Sequence, residues 1–569
     1  MRLFHGLWVG ALLALGCGGP GVTLPLTYDL PASEPRSNRL SLEVLLVADN
    51  QTQYLYGKPI WLRKGLFDKV AVTGIRSPEL DLYGQDLLGW ILDKEAGVRR
   101  GTVSIHLGDA LNLSCTWEMD RFTRTMSAAK HPWFMALGNH DGYFFGSGRT
   151  GPGSSQAEWD AGCAKGGGPI TKTQVIERYF GLLVAQGRQA AVATSFGGLG
   201  ADPGLAAFAR EADIAHEAAW SYTGNARALL RRVKWHRDCQ YWRSYLIQEL
   251  DITDPVDAPR PVRVILLDTS QFKDEPGLAA TVIPGMYDAG ASGFMLDNQL
   301  DVVRSWLEED RKDNAVVVMM GHHPENVIGG PALAAMQGLR QEFGVELYVS
   351  AHTHSSAYFV YGLGESKQLE LNIGSVLDFP AQYRTLTVLQ EERSQRTVMR
   401  SPRRELWQFW QDGVGAGAPG FPNCEAKKDA WYPPDTPHNN YADYMKSNSI
   451  DSAGTERMLF AALLDSYARL LTVAPTVTST AWPPSTGTDA AVSAHIATLK
   501  RPDAPLSSLQ DFLLALDTFE ANRTVQDEAT RRDYRACQAL WASTADKHKA
   551  RIPEVDQWFI VFPPPTAKD

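Results

Sequence analysis

Five times between residues 42 and 354, a short apolar run stops at side chains able to bind a cation. Leu42–Ala48 stops at Asp49-Asn50-Gln51, and Thr102–Leu107 stops at Gly108-Asp109. Trp133–Ala136 passes through Leu137-Gly138 into Asn139-His140-Asp141. Ala315–Met320 stops at Gly321-His322-His323-Pro324, and Val345–Ser350 at Ala351-His352-Thr353-His354. Apolar runs of this length, bounded by turn residues, read as buried strands. Helical spacing lies between them: Leu87, Leu88, Trp90 and Ile91 in Leu80–Lys94, then Trp117–Lys130, then Leu300, Val303, Trp306 and Leu307 in Asn298–Asp310. Further strands read at Val262–Asp268, Leu369–Ile373 and Arg384–Leu389. Strand–helix–strand alternation predicts an α/β sheet with parallel neighbours. Ligands of such sheets bind beyond the carboxyl ends of the strands, where all five clusters fall.

Taken singly, each cluster has an ordinary structural account. Asp49 and Asp109 can cap helices, Gly138-Asn139 can form a turn, and His322-His323 can be a solvated loop. Five at equivalent strand ends point to one shared pocket.

The length of 569 residues predicts two or three units. A hydrophobic content of 44% with 21% charge supplies a globular core. A net charge of −10 excludes a general nucleic-acid binder, which needs a basic surface. Arg2, the apolar run Leu7–Leu15 and Gly16-Cys17-Gly18-Gly19 form a secretory-signal pattern over 1–17, too short to span a bilayer as a mature helix. Cys17 is either lipidated, attaching the chain to a membrane, or removed with the signal. Export places the protein in the periplasm, on the cell surface or, as a lipoprotein, at the outer membrane of a bacterium. Residues 18–40 read as a tether and 41–400 as the α/β unit.

That unit is interrupted by an insertion over about 142–260, which opens with Gly146–Gly153 and Gly166–Pro169. It is expected to be helical near Ile176–Leu183 and Gly204–Ser221, and to serve as a substrate lid. No Gly-Lys-Ser/Thr occurs, so these glycines are not a P-loop. Residues 401–569 begin with loops such as Trp431-Tyr432-Pro433-Pro434 and read as mainly helical at Thr455–Leu471, Ser507–Asn522 and Ala529–Lys547, with a linker at Pro475–Asp489. Beyond Cys17 there are five cysteines, an odd number that leaves at least one unpaired, and no CxxC spacing for a cysteine zinc site.

In order and spacing, the five clusters resemble the signature of the calcineurin-like metallophosphoesterase superfamily: Asp-x-His, Gly-Asp, Gly-Asn-His-Asp/Glu, His, then Gly-His-x-His. The resemblance covers about 41–395 outside the insertion and extends to Leu267-Asp268-Thr269, Gln299…Trp306-Leu307 and Asn372-Ile373-Gly374-Ser375. It implies a two-sheet sandwich flanked by helices and two divalent metal ions drawn from Mn²⁺, Fe²⁺/Fe³⁺, Zn²⁺ or Mg²⁺. Asp49, Gln51, Asp109 and His354 would hold one ion. Asp109, Asn139, His322 and His352 would hold the other, with Asp109 bridging and His323 behind the ligands or structural. The implied activity is hydrolysis of a phosphomonoester or phosphodiester by a hydroxide held between the ions, with His140 assisting the leaving group and Asp141 orienting His140.

Two positions depart from the pattern. Ala351 replaces a glycine, a small change. Gln51 stands where most members carry histidine, and an amide oxygen is a weaker ligand for zinc or iron than imidazole. This motivates the alternative of a non-catalytic metal-binding or scaffold protein at the surface. The sequence is silent on oligomeric state.

Overall fold

The computed structural model describes residues 38–52, 78–98, 103–129, 132–143, 159–187 except 161 and 162, 216–218, 229–253, 260–273, 292–361 except 355, 368–377, 381–391 and 397–405. Beyond these it describes 424, 464, 467–473, 476–479, parts of 489–512, 523–525, 528–544 and 559–562. The signal segment, nearly all of the tether, Gly146–Gly153 and Trp431–Pro434 lie outside the described residues.

Two mixed sheets form the α/β body. The chain begins with β1 (Asn38–Val47), α1 (Pro78–Val98), β2 (Val103–His106), α2 (Thr116–Ser127) and β3 (Trp133–Met135). α3 (Lys172–Gly187), β4 (His216–Ala218), β5 (Leu229–His236), β6 (Tyr245–Asp251) and β7 (Val262–Leu266) follow. Next come α4 (Asp297–Lys312), β8 (Val316–Met320), α5 (Gly330–Phe343), β9 (Leu347–Ser350), β10 (Ala357–Tyr361) and β11 (Gln368–Asn372). β12 (Gln382–Glu391), β13 (Thr397–Arg400) and β14 (Arg403–Glu405) return to the first sheet. Further on are β15 (Thr476–Ser479), α6 (Asp489–Leu499), β16 (Arg523–Val525), α7 (Glu528–Thr544) and β17 (Phe559–Phe562).

The first sheet has the order β17-β13-β12-β1-β2-β3, with β14 also paired to β12. The second runs β10-β11-β9-β8-β7-β6-β5-β4. β1, β2 and β3 are mutually parallel, as are β7, β8, β9 and β11. The alternation therefore predicts parallel pairing correctly in both sheets.

Period-2 alternation explains the layering. Val262, Val264, Leu266, Val316, Val318, Met320, Leu347 and Val349 belong to the core that the second sheet shares with the first. Their neighbours Ile265, Val317, Met319 and Tyr348 turn the other way, against Leu300, Val303, Trp306 and Leu307 of α4 and Met336 and Leu339 of α5. The helical stripe on α4 is thus core, as its spacing predicts. α7 lies along α1, with Arg532 on Asp93 at 2.8 Å, Arg535 on Asp86 at 2.9 Å, and Tyr534 edge-on to Tyr83.

The insertion differs from expectation. α3 covers the helix expected at Ile176–Leu183, but 216–218 is a strand, and β5 and β6 are full members of the second sheet. Their charged residues hid them. Arg232 and Glu249 point into a buried ion cluster with Arg263 and Asp310, so strand positions that read as solvated are enclosed. The carboxy-terminal region also contributes strands. β15 lies where a linker was expected, and β17 completes an edge of the first sheet. Cys115 pairs with Cys163 and Cys424 with Cys537, and exposed Cys239 is free.

Candidate metal centre

The carboxyl ends of β1, β2 and β3 meet those of β8 and β9. Continuous backbone bonds carry the register past the strands: Leu107 N to Val47 O, Asp49 N to Gly108 O at 3.1 Å, Gln51 N to Asp109 O at 2.9 Å, and Ala351 N to His322 O at 2.8 Å. The loops approach so closely that a Cβ on Gly138 would stand 2.2 Å from Asp109 Oδ1 and 2.3 Å from Asp109 N. Gly138 therefore lets the second and third loops touch.

The backbone is strained where the candidate ligands sit. Asp49 (φ 51°), Gln51 (37°), Asp109 (52°), His352 (71°) and His354 (55°) are all left-handed. That conformation is uncommon outside glycine, and its clustering marks functional sites.

Two groups of ionisable side chains could hold an ion: Asp49, Asp109 and His354, and His322, His323 and His352, each with ligand atoms within 4.8 Å of one another. In the first, His354 Nε2 is 3.6 Å from Asp49 Oδ1. Around the second, His322 Nε2 lies 2.9 Å from Asn139 Oδ1, 3.2 Å from His352 Nδ1 and 3.3 Å from Asp109 Oδ2, and His352 Nδ1 lies 3.0 Å from Asn139 Oδ1. His322 Nδ1 faces the carbonyl of Leu107 at 2.8 Å and donates to it. With Nδ1 so bonded, the neutral ring would turn an Nε2 lone pair toward these atoms, and the protonated ring would donate from Nε2 to one of them.

Such a convergence calls for positive charge between the atoms, which a proton on His322 or a bound cation would supply. In a tetrahedral or octahedral site with bonds of about 2.1 Å, adjacent ligand atoms stand about 3.4 or about 3.0 Å apart, which is the spacing found here. The buried Oδ1 of Asp49 has no hydrogen-bond partner among the described residues. These residues fit a divalent cation. His323 stands beside His322 and His352, and its Nδ1 and backbone N both meet Thr269 Oγ1, at 2.9 and 3.0 Å. Gln51 is buried and tied to Asp109 by its backbone.

The electrostatics are those of a closed, charged pocket. Burial opposes ionisation of Asp109, yet His322 and His140 prevail and hold its carboxyl well below the usual range. Burial outweighs His354 and His322 at Asp49 and pushes it to about 6. At His322 burial loses to Asp109 and Asp49, which lift the ring to about 9. Burial lowers His352 to about 3 and also lowers His140. The pocket is most open at His352, which is half-buried, and at exposed Thr353.

His140 stands just off the ligand set, its Nε2 4.0 Å from Asp109 Oδ2 and its backbone N on Asp109 Oδ1 at 2.8 Å. Its ring is oriented by an unexpected partner. Nδ1 meets the carbonyl of Asn112 at 2.7 Å. Asp141 does not fill that role: Oδ1 accepts from the amides of Ala110 and Leu111 at 2.9 and 3.1 Å, and Oδ2 from Gly138 at 2.9 Å. In this tight turn the neighbouring side chains diverge, and the carboxylate satisfies the amides of two loops. Burial and Asp109 push Asp141 to about 7.

Sequence reasoning missed Asn112, Ser114, Glu118 and the Lys172–Asp268 pair. Of these only Asp268 lies in a motif, Leu267-Asp268-Thr269, and nothing there points to Lys172. The one local signal was Glu118, three residues after Cys115 at the start of a helix. Lys172 Nζ reaches Asp268 at 2.9–3.0 Å and Ser270 O at 2.8 Å, while its backbone N bonds Gly142 O at 3.1 Å.

No family model matches the chain, and no curated protein matches it. Among solved structures, GAP50, the anchor in the inner membrane complex of Plasmodium, is similar over 64% of this chain and 88% of its own, at 10% identity and a TM-score of 0.28. At that TM-score the likeness carries no argument about this chain.

Proposed function

We propose that the chain is a metal-dependent phosphoesterase of the metallophosphoesterase type, hydrolysing a phosphomonoester or phosphodiester. The supporting observation is the crowd of acceptor atoms on His322, Asn139, His352 and Asp109, with Asp109 shared by the Asp49/His354 group and His140 beside it. Two divalent ions held by these residues would neutralise the ester's charge and lower the pKa of a water. The protein's own part is orientation. The Asn112 carbonyl holds a proton on His140 Nδ1 and so turns Nε2 to the centre; only in the imidazolium form does Nε2 also carry a proton, which it would pass to the leaving oxygen, leaving a neutral ring. The ester enters on the open His352–Thr353 side.

Two disulfides favour an oxidising compartment and so support export. Among the described residues no helix is long and apolar enough to cross a membrane.

The test is hydrolysis of chromogenic mono- and diesters by Mn²⁺-loaded protein, with metal content measured first. His140→Ala is expected to lower kcat by about 10²–10⁴-fold at unchanged metal content. Metal binding without hydrolysis would favour the scaffold alternative, and absence of metal binding would end the phosphoesterase reading.

A further inference from the structure

We propose that Glu118 is a positioning residue for His140, acting through a single peptide group. The Glu118 carboxylate is fully buried in the first turn of α2, where Oε2 accepts from the amides of Asn112 at 3.3 Å, Leu113 at 2.9 Å and Cys115 at 3.1 Å. The Leu113 N–H and the Asn112 C=O belong to the same peptide plane. In a trans peptide these two groups point in opposite directions. Fixing the N–H on Glu118 therefore aims the carbonyl away from α2, and it meets His140 Nδ1 at 2.7 Å. The charged acceptor also polarises the peptide, strengthening the bond at its far end.

The rest of the loop is clasped so that this geometry persists. Ser114 Oγ donates to His140 O and accepts from Gly142 N at 2.8 Å, so the ring and the backbone of His140 are held by the same four-residue loop. Trp159 Nε1 bonds Leu113 O at 2.9 Å, Ile170 N bonds Ser114 O at 2.8 Å, and the Cys115–Cys163 disulfide ties the loop to that outer segment. The Glu118 hydrogen bonds described above all run to amides of the 112–115 loop. The influence of Glu118 runs through the direction of one carbonyl.

The kinetic test rests on the phosphoesterase reading; the spectroscopic test does not. In the wild-type protein, His140 Nδ1–H should give a downfield proton resonance in ¹⁵N-histidine spectra, assigned by its loss in His140→Ala. Glu118→Ala should shift or broaden that resonance, and Glu118→Gln, which keeps an oxygen acceptor, should largely restore it. In kinetics, Glu118→Ala should lower kcat by about tenfold or more on an alkyl phosphate and less on p-nitrophenyl phosphate, with KM and metal content unchanged, because only the poorer leaving group needs the proton. In the His140→Ala background the same substitution should cost nothing further, whereas a merely structural effect would add. An unchanged resonance, or additive losses, overturns the proposal. Should Glu118→Ala fail to fold, Glu118→Asp, which draws the carboxylate back from the Leu113 amide, should perturb the resonance in the same sense; no perturbation there overturns it equally. A wild-type protein that hydrolyses no ester would sink the functional reading while leaving the resonance to judge Glu118.

Discussion

Replacing Lys172 by methionine isolates the buried pair that anchors the chain just after the centre. Lys172 and Asp268 are both fully buried, 2.9–3.0 Å apart. Burial drives Asp268 up and Lys172 down, with each partner pulling the other back. In Lys172→Met, Asp268 keeps only the amides of Ser270 at 3.0 Å and Leu246 at 3.2 Å. Removing one member of a buried pair costs about 3–5 kcal/mol.

The carboxyl can evade that cost by taking a proton. From an ordinary value of 3.8, this costs about 6 kcal/mol at pH 8 but only about 2 kcal/mol at pH 5. The full loss should therefore be seen at pH 8 and be capped near 2 kcal/mol at pH 5. The sign follows from proton binding. The folded variant holds a proton that the unfolded chain has released, so its stability falls as pH rises above the ordinary carboxyl value, by up to about 1.4 kcal/mol per unit. Urea unfolding at both pH values reads this directly, and Lys172→Met/Asp268→Leu should recover most of the loss. A loss below about 1 kcal/mol at pH 8, or an equal loss at both pH values, would show that Asp268 is hydrated and the reasoning mistaken.

A second pH effect is expected at Glu370. There Arg340 lies near two buried carboxylates, its guanidinium on Glu325, while Glu370 takes hydrogen bonds from Ser350 and Tyr361. Burial pushes Glu370 from 4.5 to about 7, so the native state keeps its proton longer than the unfolded chain and loses stability as pH rises through that window. Glu370→Gln, permanently neutral, should gain up to about 3 kcal/mol over the wild type between pH 4.5 and 8, measured by unfolding. The Cys424–Cys537 bridge spans 113 residues and Cys115–Cys163 spans 48. By chain entropy alone, opening them by paired Cys→Ala changes should cost about 5 and about 4 kcal/mol, read as loss of thermal stability.

What could be read from the sequence was the frame of the site. Asp49, Asp109, Asn139, His322, His352 and His354 each follow an apolar strand, and strand ends of parallel sheets converge, so position along the chain was enough to gather them. The orientation of His140 was not legible that way. Asp141 was the obvious partner by adjacency, but the bond goes to Asn112, whose direction depends on Glu118. β5 and β6 were hidden for a related reason. Arg232 and Glu249 look solvated in a pattern of apolar and polar residues, and only the fold brings Arg263 and Asp310 to them. Lys172 and Asp268 are 96 residues apart, with nothing local in the sequence to join them.

The place of β1 in its sheet has a consequence for how the chain is made. β1 lies between β2 and β12, pairing Leu40 with Leu389 and Leu45 with Thr385. Closing so long a loop costs only about 2 kcal/mol more than closing one of 48 residues, because the entropy grows with the logarithm of length. Stability thus suffers little from the arrangement, but folding speed does, since sheets built on distant pairings assemble slowly. During synthesis, a chain still short of residue 382 carries β1 with one hydrogen-bonding edge bare, and a bare apolar edge invites pairing with other chains. The first strand of this sheet waits for the fourth, more than three hundred residues later, and protection of that edge is a requirement of biosynthesis rather than of the finished fold.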